Sequence, residues 1–144
     1  MPGKGSEAVS VKSTNEQSTM KSNDPILVIE DEEDIRQMIC DILEDDGYST
    51  VQASNGNEGL MILRKTPEFS IIITDLLMPE KEGIETISEL RKDFPWIKIL
   101  AISGGGICIP ESYLNLAKAM GADATLCKPF GRSELLSVIE ELNR

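Results

Sequence analysis

Histidine is absent from the 144-residue chain. That excludes a Ser-His-Asp triad, a histidine-ligated zinc site and a phosphohistidine carrier on this chain. Cysteine is scarce: Cys40, Cys108 and Cys127 are odd in number and form no CxxC pair. The pattern fits ordinary thiols in a reduced, cytoplasmic protein. No apolar run approaches the roughly 20 residues of a membrane span, and the N-terminus has no apolar signal core. Neither a membrane-embedded nor a secreted protein is expected. Bases are also few, 14 against 25 acids, for a net charge of −11. Binding to nucleic acid or to an anionic membrane draws mostly on Lys and Arg, so neither partner is expected. The acidity is compatible with a site that holds a cation, and equally with a solvated acidic surface.

The length suits one domain with a sizeable core. Residues 1–23 are rich in Ser, Thr, Lys, Glu and Gly and nearly lack large apolar residues. Such a stretch cannot bury enough surface to offset its ordering entropy, so it reads as a disordered N-terminal tail. Lys4, Lys12 and Lys21 outnumber Glu7 and Glu16 there. The acidity therefore belongs to the folded part, residues 24–144.

From Asp24 onward, short apolar runs alternate with longer segments of helical period. The runs are Ile26 to Ile29, a weaker Ser49 to Ala53, Ile71 to Ile73, Ile97 to Ile102 and Ala124 to Cys127. The first, third and fourth are continuous rather than alternating, as expected of parallel strands covered on both faces. Helical stripes lie between and after them. Ile35, Ile39, Ile42 and Leu43 form one that stops at Asp46-Gly47; Leu60 and Leu63 mark a second, starting near Asn55. Ile84, Ile87 and Leu90 mark a third. Pro110 opens a fourth, with Leu114, Ala117 and Met120 inward and Gly121 as its stop. Leu135, Val138, Ile139 and Leu142 mark the last. Five βα units imply an α/β three-layer sandwich around a doubly wound parallel sheet. The flavodoxin-like strand order 2-1-3-4-5 is expected by analogy.

In such a sheet, ligands bind outside the carboxyl ends of the strands. The first run ends in Glu30-Asp31, the third in Asp75, the fourth in Ser103 and the fifth in Lys128-Pro129. Topology thus gathers three carboxylates, a hydroxyl and an ammonium on one edge. Singly, each has a plain structural explanation: a helix-dipole complement for Glu30 and Asp31, a capping or turn role for Asp75 and Ser103, an ion-pair role for Lys128. Unrelated structural needs would not all select strand carboxyl ends.

These motifs together resemble the receiver family of two-component signalling. The chain carries Ile-Leu-Val-Ile-Glu30-Asp31-Glu, Ile-Ile-Ile-Thr-Asp75-Leu-Leu-Met-Pro79, Ile-Leu-Ala-Ile-Ser103-Gly and Lys128-Pro129-Phe130, with Gly83 and Gly121-Ala122 also matching. The resemblance covers residues 25 to 144 and implies a stand-alone, chemotaxis-receiver-like response regulator, with no output domain after the last helix. It implies that Asp75 is the phosphoacceptor and that Asp31, Asp75 and the Leu77 carbonyl coordinate Mg²⁺, Glu30 acting mainly through bound water. Lys128 would contact a phosphoryl oxygen, and Ser103 would turn its hydroxyl toward the phosphate. The phosphoryl donor would be a sensor histidine kinase or a histidine phosphotransfer protein, and an unnamed protein would read the result. The Lys128-Pro129 peptide is expected to be cis.

The residue types suit that chemistry. A carboxylate that attacks a phosphoryl group meets like charge, which a hard divalent ion with oxygen ligands offsets. A lysine adds a second positive contact as charge spreads over the phosphoryl oxygens.

Two departures bear on how a signal leaves the site. Thr125 stands where the family often has an aromatic residue, and Gly104 to Ile109 makes the loop after the fourth strand glycine-rich and longer than usual. Two alternatives share the pattern: a pseudo-receiver that binds partners without taking phosphate, and an Asp-nucleophile phosphatase. The phosphatase of haloacid dehalogenase type would want Asp-x-Asp after the first strand, and Glu30-Asp31-Glu32 does not supply it.

Overall fold

The computed structural model describes residues 24–76, 83–103, 115, 118, 119 and 121–144. Among them, five strands form one parallel sheet: β1 (Ile26–Ile29), β2 (Thr50–Ala53), β3 (Ile71–Asp75), β4 (Lys98–Ser103) and β5 (Ala124–Cys127). Four helices accompany them: α1 (Glu33–Asp45), α2 (Gly56–Lys65), α3 (Gly83–Asp93) and α4 (Arg132–Leu142). The strand order is β2-β1-β3-β4-β5, the expected 2-1-3-4-5. The N-terminal tail and the helix expected from Pro110 to Met120 lie outside the described residues, apart from isolated positions of that helix.

Alternation along the central strands divides the core in two. Leu27 and Ile29 of β1, Ile72 of β3 and Ile99 and Ala101 of β4 face α2 and α3, which contribute Leu60, Leu63, Ile87 and Leu90. Ile26, Val28, Ile71, Ile73, Leu100 and Ile102 face the other way, toward Ile39, Cys40 and Leu43 of α1 and Leu135 and Ile139 of α4. Each of these strands is therefore apolar on both faces, which is why its sequence is a continuous apolar run. The outer strands β2 and β5 are only partly buried, and their sequence signal is correspondingly weak.

Local chemistry sets the helix ends. Gly47, at φ 97, closes α1: its N–H donates to the Glu44 carbonyl at 3.1 Å and the Tyr48 N–H to the Leu43 carbonyl at 3.0 Å. This reversal needs a left-handed residue, which glycine adopts without steric penalty. Asn55 caps α2 by accepting the Glu58 N–H at 2.8 Å. Glu58 reaches back to the Ser54 N–H at 2.7 Å.

Arg91, near the end of α3, ties three segments together. Its guanidinium donates to the carbonyls of Pro95 (2.8 Å), Ile97 (3.1 Å) and Gly121 (2.8 Å), and pairs with Asp123 at 2.6 Å. Asp123 in turn accepts the Ile99 N–H at 2.8 Å. The fork thus fixes the entry to β4 and the entry to β5 on one side chain. Arg91→Ala is expected to lower unfolding free energy by about 2 kcal/mol, because partly buried carbonyls and a carboxylate lose a charged donor. Arg91→Lys recovers little, since an ammonium cannot span the same acceptors. The denaturant midpoint at unchanged m-value checks this, and a loss under about 0.5 kcal/mol contradicts it.

Candidate functional site

The carboxyl edge of the sheet collects the polar residues that end its strands. Directly after β1, Glu30 is buried while Asp31 is exposed. Glu30 is held by its backbone, whose N–H donates to the Ala53 carbonyl at 3.1 Å and whose carbonyl accepts from Arg36 at 2.8 Å. Its Oε2 accepts the Glu32 N–H at 3.1 Å. Asp75 ends β3 and is buried; the next N–H, of Leu76, donates to the Ile102 carbonyl of β4 at 2.8 Å. Lys128 follows β5, with its N–H on the Ser103 carbonyl at 2.8 Å and a cis peptide to Pro129, as expected.

One ammonium serves two buried carboxylates. Lys128 Nζ donates to Asp75 Oδ2 at 3.1 Å and lies 3.0 Å from Glu30 Oε1. The Lys128 side chain is 10% exposed, against 2% for Glu30 and 6% for Asp75. Glu30 Oε1 is at ion-pair distance yet lacks hydrogen-bond geometry to any partner among the described residues. Burial, followed by the charge of Asp75, pushes the Glu30 carboxyl up from 4.5 to about 7, although Lys128 and the Glu32 N–H pull the other way. Burial works against the Lys128 charge, but the close approach of Glu30 and the charge of Asp75 outweigh it and hold the ammonium above its ordinary range.

Carboxylate oxygens of Glu30, Asp31 and Asp75 all lie within 4.8 Å of one another. Among the described residues three acids face one ammonium, and the donor set is all oxygen, which suits a hard divalent cation. Ser103, at the end of β4, is fully buried, and its Oγ has no hydrogen-bond partner among the described residues. A buried hydroxyl left so is unfavourable and calls for a role.

Glu30, Asp31, Asp75, Ser103 and Lys128 thus meet on one edge, where the strand ends put them. Leu77, the expected carbonyl ligand, and the Gly104 to Ile109 loop lie outside the described residues. Thr125 sits half-buried in β5, opposite Ala101. Sequence reasoning missed two supports: Glu32, whose carboxylate is 3.9 Å from Lys128, and Arg36, which holds the Glu30 carbonyl. The run of five acids from Glu30 to Asp34 was a signal for the first; nothing signalled the second. The expectation of three ordinary thiols is corrected. Cys40 is free and buried, but Cys127 is disulfide-bonded.

A doubly wound parallel sheet with this acidic edge and its lysine defines a receiver-type fold. The chain belongs to the response regulator receiver domain family, whose model matches residues 26–140. It is 33% identical over 116 residues to an NtrX-like response regulator of Rickettsia bellii, covering 80% of this chain and 24% of that protein. It is 30% identical over 139 residues to the sensor kinase CckA of Brucella abortus, covering 94% of this chain and 14% of that one. The structure resembles the chemotaxis protein CheY4 of Vibrio cholerae with a TM-score of 0.75 at 31% identity, covering 84% of this chain and 99% of that one. The chain spans between 24% and 49% of the length of the first curated relatives it matches. No described helix is long and apolar enough to cross a membrane.

The raised Glu30 carboxyl has a sign that melting can read. An acid that holds its proton more tightly folded than unfolded adds stability below its ordinary pKa and loses it as pH rises through the folded value. Without divalent ions, this group's contribution should fall across the window from 4.5 to about 7. Glu30→Gln should flatten that part of the pH profile. An equal slope in the variant would show that other groups set it.

Proposed function

We propose that Asp75 accepts a phosphoryl group from the phosphohistidine of a sensor kinase or phosphotransfer protein, and that a further protein reads the phosphorylated form. The observation that carries this reading is the buried Asp75 carboxylate, 3.1 Å from the Lys128 ammonium, with Glu30 and Asp31 beside it. Similarity to a segment of a sensor kinase supports the choice of donor. The same reading places the protein in the cytoplasm and the receiver domain at residues 24–144, with the preceding residues as a tail outside it.

In the transfer, an Asp75 oxygen attacks phosphorus and the bond from phosphorus to the donor's imidazole nitrogen breaks. The electron pair leaves with that nitrogen, which takes up a proton. Lys128 moves its contact from the free carboxylate to a phosphoryl oxygen, so its charge stays neutralised while charge spreads over the transferred group. Ser103 would gain in the phosphoryl group a hydrogen-bond acceptor that it lacks among the described residues. Burial of Asp75 and Lys128 strengthens these contacts by excluding water. Asp31 and Asp75, with the Leu77 carbonyl, would hold Mg²⁺, and Glu30 would act through bound water. When bound, the ion offsets repulsion between carboxylate and phosphoryl group and orients the in-line geometry.

Two measurements test the reading. Incubation with acetyl phosphate and Mg²⁺ should add one phosphoryl group by intact mass, and Asp75→Asn should abolish the addition. Undiminished labelling of that variant contradicts the assignment. Absence of labelling in a folded wild type favours a pseudo-receiver, and turnover of a generic phosphate monoester favours a phosphatase. Second, Mg²⁺ should stabilise the fold by linkage, by about 2.7 kcal/mol at a hundredfold excess over Kd, and so raise the melting temperature. Asp31→Ala should remove most of that response. A full response in the variant would place the ion elsewhere.

A further inference from the structure

The Glu32 side chain takes no part in capping the helix it opens. Glu32 occupies the N-cap position of α1, yet its carboxylate makes no capping hydrogen bond, and the residues that cap well are Ser, Thr, Asp and Asn. Glu33 and Asp34 already supply acids to the first helical turn, so the helix dipole is complemented without a third. The backbone of Glu32 is engaged: its N–H donates to Glu30 Oε2 at 3.1 Å, and its carbonyl accepts the Arg36 N–H at 2.9 Å. The side chain goes elsewhere, and its Oε1 lies 3.9 Å from the Lys128 ammonium.

Lys128 therefore faces carboxylates of two kinds. Glu30 and Asp75 are buried, at 3.0 and 3.1 Å, whereas the Glu32 side chain is 65% exposed. An exposed group so near a largely buried ammonium stands on its solvent side. A phosphoryl donor reaches Asp75 from solvent and enters the field of this carboxylate. Asp31 is exposed as well, but the reading of the site commits it to the cation. Arg36, the one base of α1, is engaged by the Glu30 carbonyl at 2.8 Å and by Gln52 at 2.9 Å.

We propose that Glu32 is a specificity-determining residue, which sets the charge class of phosphoryl donor that Asp75 accepts. Its carboxylate disfavours small dianionic donors such as acyl phosphates, and favours donors whose phosphorus is bonded to a protonated nitrogen, as in phosphohistidine. The proposal rests on the reading of Asp75 as phosphoacceptor.

The two donor classes share their chemistry and differ in charge. An acyl phosphate is a dianion at neutral pH. Phosphoramidate is a monoanion there, because its nitrogen is protonated, and an N-phosphoryl imidazolium has the same feature. With each donor an Asp75 oxygen bonds to phosphorus. The bond that breaks is phosphorus–oxygen, releasing acetate from acetyl phosphate, or phosphorus–nitrogen, releasing ammonia or imidazole with the electron pair. Two unit charges a few ångströms apart in water interact strongly enough for about a fivefold change in rate per unit charge. Salt screens such an interaction at an exposed position.

The experiment uses the full chain at saturating Mg²⁺, so that altered ion affinity drops out, and at low and high salt. Second-order rate constants are measured with acetyl phosphate and with phosphoramidate for wild type, Glu32→Gln, Glu32→Asp and Glu32→Lys. Glu141→Gln, which removes an exposed acid near the far end of α4, controls for net charge. Melting curves check that each variant is folded. At low salt the rate ratio of acetyl phosphate to phosphoramidate should rise about fivefold in Glu32→Gln and further in Glu32→Lys. It should stay near the wild-type value in Glu32→Asp and in Glu141→Gln, and the differences should shrink at high salt. An unchanged ratio in Glu32→Gln and Glu32→Lys overturns the proposal. So does an equal loss of rate with both donors, which would show that Glu32 only holds Lys128 in place, or an equal shift in Glu141→Gln. If the wild type takes a phosphoryl group from neither donor, or Asp75→Asn takes as much, the phosphoacceptor reading itself fails and this proposal with it.

Discussion

A single ammonium between two buried carboxylates organises the carboxyl edge of this sheet. Lys128 approaches Glu30 at 3.0 Å and Asp75 at 3.1 Å, from a strand that borders neither. To make both contacts the chain must hold β1, β3 and β5 in one parallel sheet with their ends level. The continuous apolar runs do this by burying the central strands on both faces. Charges withdrawn from water are unfavourable unless paired. Pairing with Lys128 still leaves Glu30 with a raised carboxyl, and among the described residues three acids meet around one ammonium. A cation bound among these oxygens would offset that excess of negative charge.

The rest of the molecule keeps this edge in place without touching its chemistry. Gly47 turns the chain from α1 into β2, and Arg36 on α1 fastens the Glu30 carbonyl. Arg91 binds the entries of β4 and β5 at the opposite ends of those strands, through acceptors on Pro95, Ile97, Gly121 and Asp123. The two strands that supply Ser103 and Lys128 are thus anchored at their starts and joined at their finishes by the Lys128 N–H bond to Ser103.

Much of this was legible in the residues themselves. Ile26 to Ile29 and Ala124 to Cys127 have the bounds read from sequence, and Asp75 and Ser103 end their strands as expected. A strand buried on both faces announces itself by unbroken apolarity, and the polar residue that stops it marks the edge. The stop of α1 at Asp46-Gly47 and the start of α2 near Asn55 were readable because their chemistry is local. What stayed hidden depends on distance in space. The acceptors of Arg91 are mostly backbone carbonyls, which every residue has. The disulfide at Cys127 needs a second cysteine brought beside it by the fold, and the three cysteines of the sequence form no CxxC pair that would announce it. Buried Ser103 gives no sign in sequence that its hydroxyl lacks a partner among the described residues.

The central claim is that Asp75, of the two carboxylates beside Lys128, is the one that receives phosphate. An acyl phosphate, unlike a phosphate ester, is reduced by borohydride to an alcohol, so aspartyl phosphate becomes homoserine at the modified position. Phosphorylated protein should be treated with borohydride, digested and mapped by mass. The account predicts homoserine at position 75 and at no other acid. Homoserine at Asp31 or Glu30's reduced counterpart, or none after demonstrable labelling, would contradict it.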